Sequence, residues 1–77
     1  MQWDIEVTDT FGGEANYCWV RRETLELPSG LSDRAIVRRA KRAMGLAGVR
    51  ADTFPMGDGF EIRPRGAAVV CFAMPRY

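Results

Sequence analysis

Arg34, Arg38, Arg39, Lys41 and Arg42 crowd into one short stretch of this 77-residue chain. Arginine presents a planar fork of donors that fits a phosphate or a carboxylate, and lysine adds a mobile point charge, so this cluster suits an anionic partner. Arg34, Arg38 and Arg42 recur every fourth residue, which is the spacing of one helix face. An opposite set, Asp4, Glu6, Glu14, Glu23 and Glu26, lies upstream and suits a basic partner. Residues 1–30 carry two arginines against six acids, residues 31–50 carry six bases against Asp33 alone, and residues 51–77 are balanced. The formal net charge of +1 therefore conceals a molecule polarised by segment.

The residues that build catalytic sites are sparse. The chain has no histidine, which removes the commonest general base and the commonest metal ligand. Cys18 and Cys71 do not make a zinc site without histidine, and Phe11-Gly12-Gly13 and Gly57-Asp58-Gly59 match no phosphate-loop or dinucleotide fingerprint. In a chain without an export signal Cys18 and Cys71 are expected to be reduced and buried, with a disulfide between them as the alternative, and their apolar strand patterns suit packed thiols better than nucleophiles. Asp4 and Glu6 share a strand face, where on an exposed edge such carboxylates more often serve solvation than acid–base work. The reading is of a protein that binds, with no catalytic residues, no metal and no cofactor.

An apolar content of 47% with 27% charged residues is that of a globular chain, and the length suits one domain over residues 1–77. No stretch approaches the ~20 apolar residues of a membrane span, and the N-terminal residues lack a signal-peptide layout, so a cytoplasmic protein is expected. In Trp3-Asp4-Ile5-Glu6-Val7-Thr8 apolar and polar residues alternate, as in a strand with one wet face. Asp9–Gly13 supplies a turn, and Ala15–Leu27 resumes a strand. Cys18 and Val20 fall on one parity and Leu25 and Leu27 on the other, which predicts a bulge near Arg21–Thr24. Tyr17 and Trp19 share the parity opposite to Cys18, as a binding patch or a second small core; for the tryptophan, core packing is expected.

Leu31-Ser32-Asp33 has the grammar of a helix start, with Ser32 as cap. Ile36, Val37, Ala40, Ala43, Met44 and Ala47 form an apolar stripe, Gly45 is a left-handed stop, and the basic helix is placed at residues 32–45. Val49–Phe54, Phe60–Arg63 and Ala67–Met74 read as strands separated by turns at Pro55–Gly59 and Pro64–Gly66, the last strand being central. The fold class expected is α+β: an antiparallel sheet of four to five strands in ββαβββ order, with the amphipathic helix packed on one face. A purely structural role for the basic arc would have its arginines pair with Asp4, Glu6 or other strand acids.

The run Glu6-Val7-Thr8-Asp9-Thr10-Phe11-Gly12-Gly13-Glu14-Ala15-Asn16-Tyr17, then Trp19-Val20-Arg21-Arg22, then Ser32-Asp33-Arg34-Ala35-Ile36-Val37-Arg38-Arg39-Ala40-Lys41, resembles a family of small phage and prophage proteins of unassigned role. The likeness covers most of the chain up to Gly48, and the family has no established catalytic motif to carry over. A small, histidine-free, charge-polarised domain of this origin is similar to anti-CRISPR inhibitors. That resemblance implies a protein of the bacterial host cytoplasm that docks on a subunit of an RNA-guided Cas effector complex and blocks DNA access or nuclease recruitment. Docking would use either the basic helix face or the acidic hairpin. The alternative is a phage accessory protein that binds nucleic acid through helix 32–45, weakened by a pI near 7.8. A third is an assembly protein whose hairpin edge pairs with another copy.

Overall fold

In the computed structural model, which describes Met1–Tyr77, alternation along Trp3–Thr8 builds the first of two long strands, β1 (Gln2–Phe11) and β2 (Glu14–Glu26). They are followed by helix α1 (Asp33–Ala43) and a meander of β3 (Ala51–Met56), β4 (Gly59–Pro64) and β5 (Val69–Arg76). All neighbouring strands are antiparallel, in the order β2-β1-β5-β4-β3. The chain is thus α+β with a five-stranded sheet, as the sequence pattern indicates. β5 takes the middle position because both its parities are apolar: Val69, Cys71 and Ala73 face α1, and Val70, Phe72 and Met74 face away. Its pairing with β1 sets Gln2 opposite Arg76 and joins the two ends of the chain.

The core lies between α1 and one sheet face. Trp3, Ile5 and Val7 of β1, Ile62 of β4, and Cys71 and Ala73 of β5 meet Ala40 and Met44 of the helix and Leu27 of the loop before it. Trp3 stacks on Phe60, ring centroids 6.2 Å apart. Ala40 has no exposed surface, so its small side chain sets how closely the helix approaches the sheet. The edges differ. Pro55 lies within β3, which tolerates it because that strand has a partner on one side only.

Several boundaries depart from the sequence pattern. The helix is shorter than residues 32–45: Ser32 is its cap and Gly45 (φ 74°) already lies beyond its end, so Ala47 falls outside the stripe and is exposed. β3 begins at Ala51 and extends through Pro55 and Met56, leaving Val49 and Arg50 in the loop. Ala67 and Ala68 belong to the turn before β5.

The bulge is not at Arg21–Thr24. That stretch keeps regular register with β1, and the break lies where Thr8 pairs with Val20 but Thr10 with Ala15, so that Asn16–Trp19 stand opposite Asp9 alone. The phase conflict between Val20 and Leu25 is resolved differently, by the two residues covering opposite faces of the sheet. Asp9 fixes the bulge: its Oδ1 accepts from the amides of Cys18 (2.8 Å) and Trp19 (3.3 Å), and its Oδ2 from Asn16 Nδ2 (2.9 Å). Tyr17 is left at φ 55°, its amide donating to Thr8 Oγ1 at 2.9 Å.

This bulge also places the side chains that the simple parity argument misjudged. Cys18 is exposed, against the expectation of two buried thiols, while Cys71 is fully buried. Trp19 is 47% exposed and so is not a core residue. On the helix-free face the hairpin tip reaches across β5, with the Arg63 guanidinium donating to the Gly13 carbonyl. Thr8 and Val70 pair across β1 and β5 on this face and are fully buried, but Tyr17 and Trp19 are exposed and form no second core with them.

Candidate anion-binding groove

Local signals in the sequence hold α1 in place. Ser32 Oγ accepts from the Ala35 amide at 3.2 Å, and Asp33 lies in the first turn, where the helix dipole favours negative charge. At the other end Leu46 donates to the Lys41 carbonyl (2.8 Å) and Gly45 to that of Arg42 (3.1 Å), the paired closure that a left-handed glycine permits. The chain then turns back through Gly48 (φ 78°) and runs alongside the helix into β3. A groove of about 560 Å³ opens between the two, with Arg34, Arg38 and Lys41 from α1 on one wall and Arg50 and Arg65 on the other. Val37, Val49 and Ala51 contribute its apolar surface, and no acidic side chain lines it.

The ion pairs sort by segment as strictly as the charges do. Arg21 pairs with Glu23, Arg22 with Glu6, Arg63 with Glu61, Arg65 with Asp52 and Arg76 with Asp4. These are all of the arginines outside residues 31–50. None of Arg34, Arg38, Arg39, Lys41, Arg42 and Arg50 makes an ion pair or a side-chain hydrogen bond. The expectation that strand acids neutralise the helix arginines therefore fails. Asp4 and Glu6 point to the helix-free face, away from α1, and are held there by Arg76 (2.6 Å) and Arg22 (3.0 Å).

The five basic residues read from the sequence divide between the groove and the rest of the helix surface. Arg34, Arg38 and Lys41, at i, i+4 and i+7, face the groove. Arg39 and Arg42 lie further round the helix and do not line it. Near the end of the helix Arg21 Nη2 reaches the Ala43 carbonyl at 3.4 Å. Arg50 and Arg65 are the members that sequence reasoning missed. Arg50 had the signal of belonging to the basic segment, but Arg65 had none, since only the fold brings the Pro64–Gly66 turn beside residues 48–51. Asp52 holds the Arg65 guanidinium in a two-point contact (2.7 and 3.4 Å), which keeps the Asp52 carboxyl below its ordinary range and makes Arg65 a fixed wall of the groove.

The acidic hairpin residues are dispersed and mostly engaged. Beside the pairs at Asp4 and Glu6, Glu23 meets Arg21 at 3.5 Å and Glu26 meets the N-terminal ammonium at 2.9 Å; Glu14, in the exposed hairpin tip, makes no ion pair. On the helix-free face Tyr17, Met56, Phe72 and Met74 line a smaller concavity with Asp4 and Glu6. Desolvation, then the Glu6 charge, pushes the Tyr17 hydroxyl above its ordinary pKa. No three His, Cys, Asp or Glu side chains gather into a metal-ligating set, and no helix is long and apolar enough to cross a membrane.

Set against protein-family models, curated proteins and solved structures, the chain gives no significant match.

Proposed function

We propose that this chain is a small binding protein that acts by docking, with Arg34, Arg38, Lys41 and Arg50 as its contact groups and an anionic macromolecular surface as its target. The observation that carries this reading is the division of ion pairs. Every arginine on the strands already has a carboxylate, whereas every base of residues 31–50 is unpartnered, and four of them converge on one groove. Unpaired guanidinium groups on an ordered helix give up little to meet an anion, because no internal pair must first be broken. The acidic hairpin is a poorer docking surface, since a basic partner would have to displace Arg22 and Arg76 from Glu6 and Asp4.

In the phage setting that the sequence resemblance implies, such a protein is an inhibitor in the host cytoplasm that occupies an RNA-guided Cas effector complex and blocks DNA access. Retention on a sulphated polyanion matrix tests the docking surface. The R34E/R38E variant is expected to elute at markedly lower salt than the parent, and R39E/R42E, with equal charge change outside the groove, to elute between the two. Equal losses in both variants, or no retention of the parent, would overturn the assignment. The inhibitor setting is tested by pull-down with purified effector complexes and by phage plaque counts; no capture together with no protection removes it.

A further inference from the structure

We infer that the groove holds the phosphodiester backbone of a nucleic-acid duplex, read without regard to base sequence. This rests on the anionic-partner reading above and names the partner's chemistry. Three of the four free donors are arginines, whose forks match two phosphate oxygens at once, and they stand in a row instead of around a point. Arg34 and Lys41 are seven residues apart on the helix, about 10 Å along its axis at ~1.5 Å per residue. Each strand of a duplex rises ~3.4 Å per phosphate along the duplex axis, so a row of this length laid along that axis spans about three phosphate steps. The carboxylates on this protein's own sheet, by contrast, are interleaved with bases and offer no such regular row.

The groove also lacks what a reader of single strands uses. None of the residues lining it is aromatic, so it offers no platform on which a base could stack. The exposed aromatics Phe11, Tyr17, Trp19, Phe54 and Tyr77 are not among its lining residues. What remains is contact with the backbone, which positions a duplex without reading its sequence.

The experiment is fluorescence anisotropy of short labelled DNA duplexes of unrelated sequence, titrated with the full chain across a salt series, with polyglutamate as the probe for an acidic protein surface. Binding is expected to be equal for the different sequences, and log affinity to fall with log salt at a slope of about −3 to −4, as four released counterions require. R34Q/R38Q should flatten that slope by about 2. R39Q/R42Q should leave it nearer the parent's, and circular dichroism should show both variants folded. Strong preference for one sequence, equal flattening in the two variants, or no binding at low salt would overturn the inference. Binding to polyglutamate but not to duplex would also overturn it, while leaving the docking surface of the preceding section intact; binding to neither would remove both.

Discussion

The Asp9 carboxylate accepts a hydrogen bond from the main-chain amide of Cys18, at 2.8 Å, and so closes a bulge in which four residues of β2 face a single residue of β1. The side chain of Asn16 supplies the strongest of the contacts that hold the Asp9 carboxyl below its ordinary range, and the amides of Trp19 and Cys18 add to it. A carboxylate with a depressed folded-state pKa stabilises the fold above the ordinary carboxylate range, and that contribution is lost as pH falls through the lowered value. Acid titration followed by the amide signals of Cys18 and Trp19 is therefore expected to show the bulge loosening below the usual pH for an aspartate. Asp9→Asn should retain much of the bulge and abolish that transition, and Asp9→Ala should loosen it at neutral pH.

The two thiols are expected to react very differently. Burial pushes the Cys71 thiol up to about 12, and its side chain has no exposed surface, whereas Cys18 is exposed. A thiol reagent should label one cysteine in the native protein and two after denaturation, with Cys18→Ser removing the native signal. Early labelling of Cys71 would show that β5 is not held at the centre of the sheet. Because the folded thiol ionises later than an unfolded one, Cys71 also makes stability fall as pH rises from about 9 toward about 12.

Ser32→Ala should cost about 1 kcal/mol, the usual loss when a helix cap can no longer accept from the first-turn amides. Denaturant unfolding measures it. The groove depends on where α1 starts, so the same variant should bind polyanions more weakly than its stability alone would suggest if fraying reaches Arg34.

Ile62→Ala and Gly59→Ala test the sheet from its two faces. Ile62 is fully buried beneath the helix, and its truncation should cost about 2–5 kcal/mol through lost burial and a residual cavity. A methyl group on Gly59 would collide with the Ala73 carbonyl and the Met74 sulfur, so even this smallest of additions should destabilise the β4–β5 pairing. A Gly59→Ala protein with unchanged unfolding midpoint would show that β4 can shift freely against β5.

Periodicity and end signals were legible without any structure. The alternation of Trp3, Ile5 and Val7, the stripe of Ile36, Val37, Ala40 and Met44, the Ser32 cap and the Gly45 stop are short-range patterns whose physics is complete within a few residues. They were enough to specify the α+β class and the ββαβββ order. Pro55 was misplaced because proline is excluded only from strands paired on both sides, and whether β3 is an edge is a property of the whole sheet. The bulge was misplaced for a related reason: parity shows only that Val20 and Leu25 cannot share one face of a regular strand, and the sheet places them on opposite faces, while the bulge forms where the Asp9 carboxylate reaches residues seven to ten positions away.

The candidate site divides in the same way. Local sequence decided that Arg34, Arg38, Arg39, Lys41 and Arg42 share a helix and that bases and acids are segregated along the chain. Tertiary packing decided which of those bases line one groove, because the 48–51 turn and Arg65 approach only one side of α1 and leave Arg39 and Arg42 outside. It also decided which charges are already neutralised. Ion pairs form between side chains that share a sheet face, and the sheet sets Asp4 and Glu6 on the face that α1 does not cover, so they meet Arg76 and Arg22 and leave the helix bases unpaired.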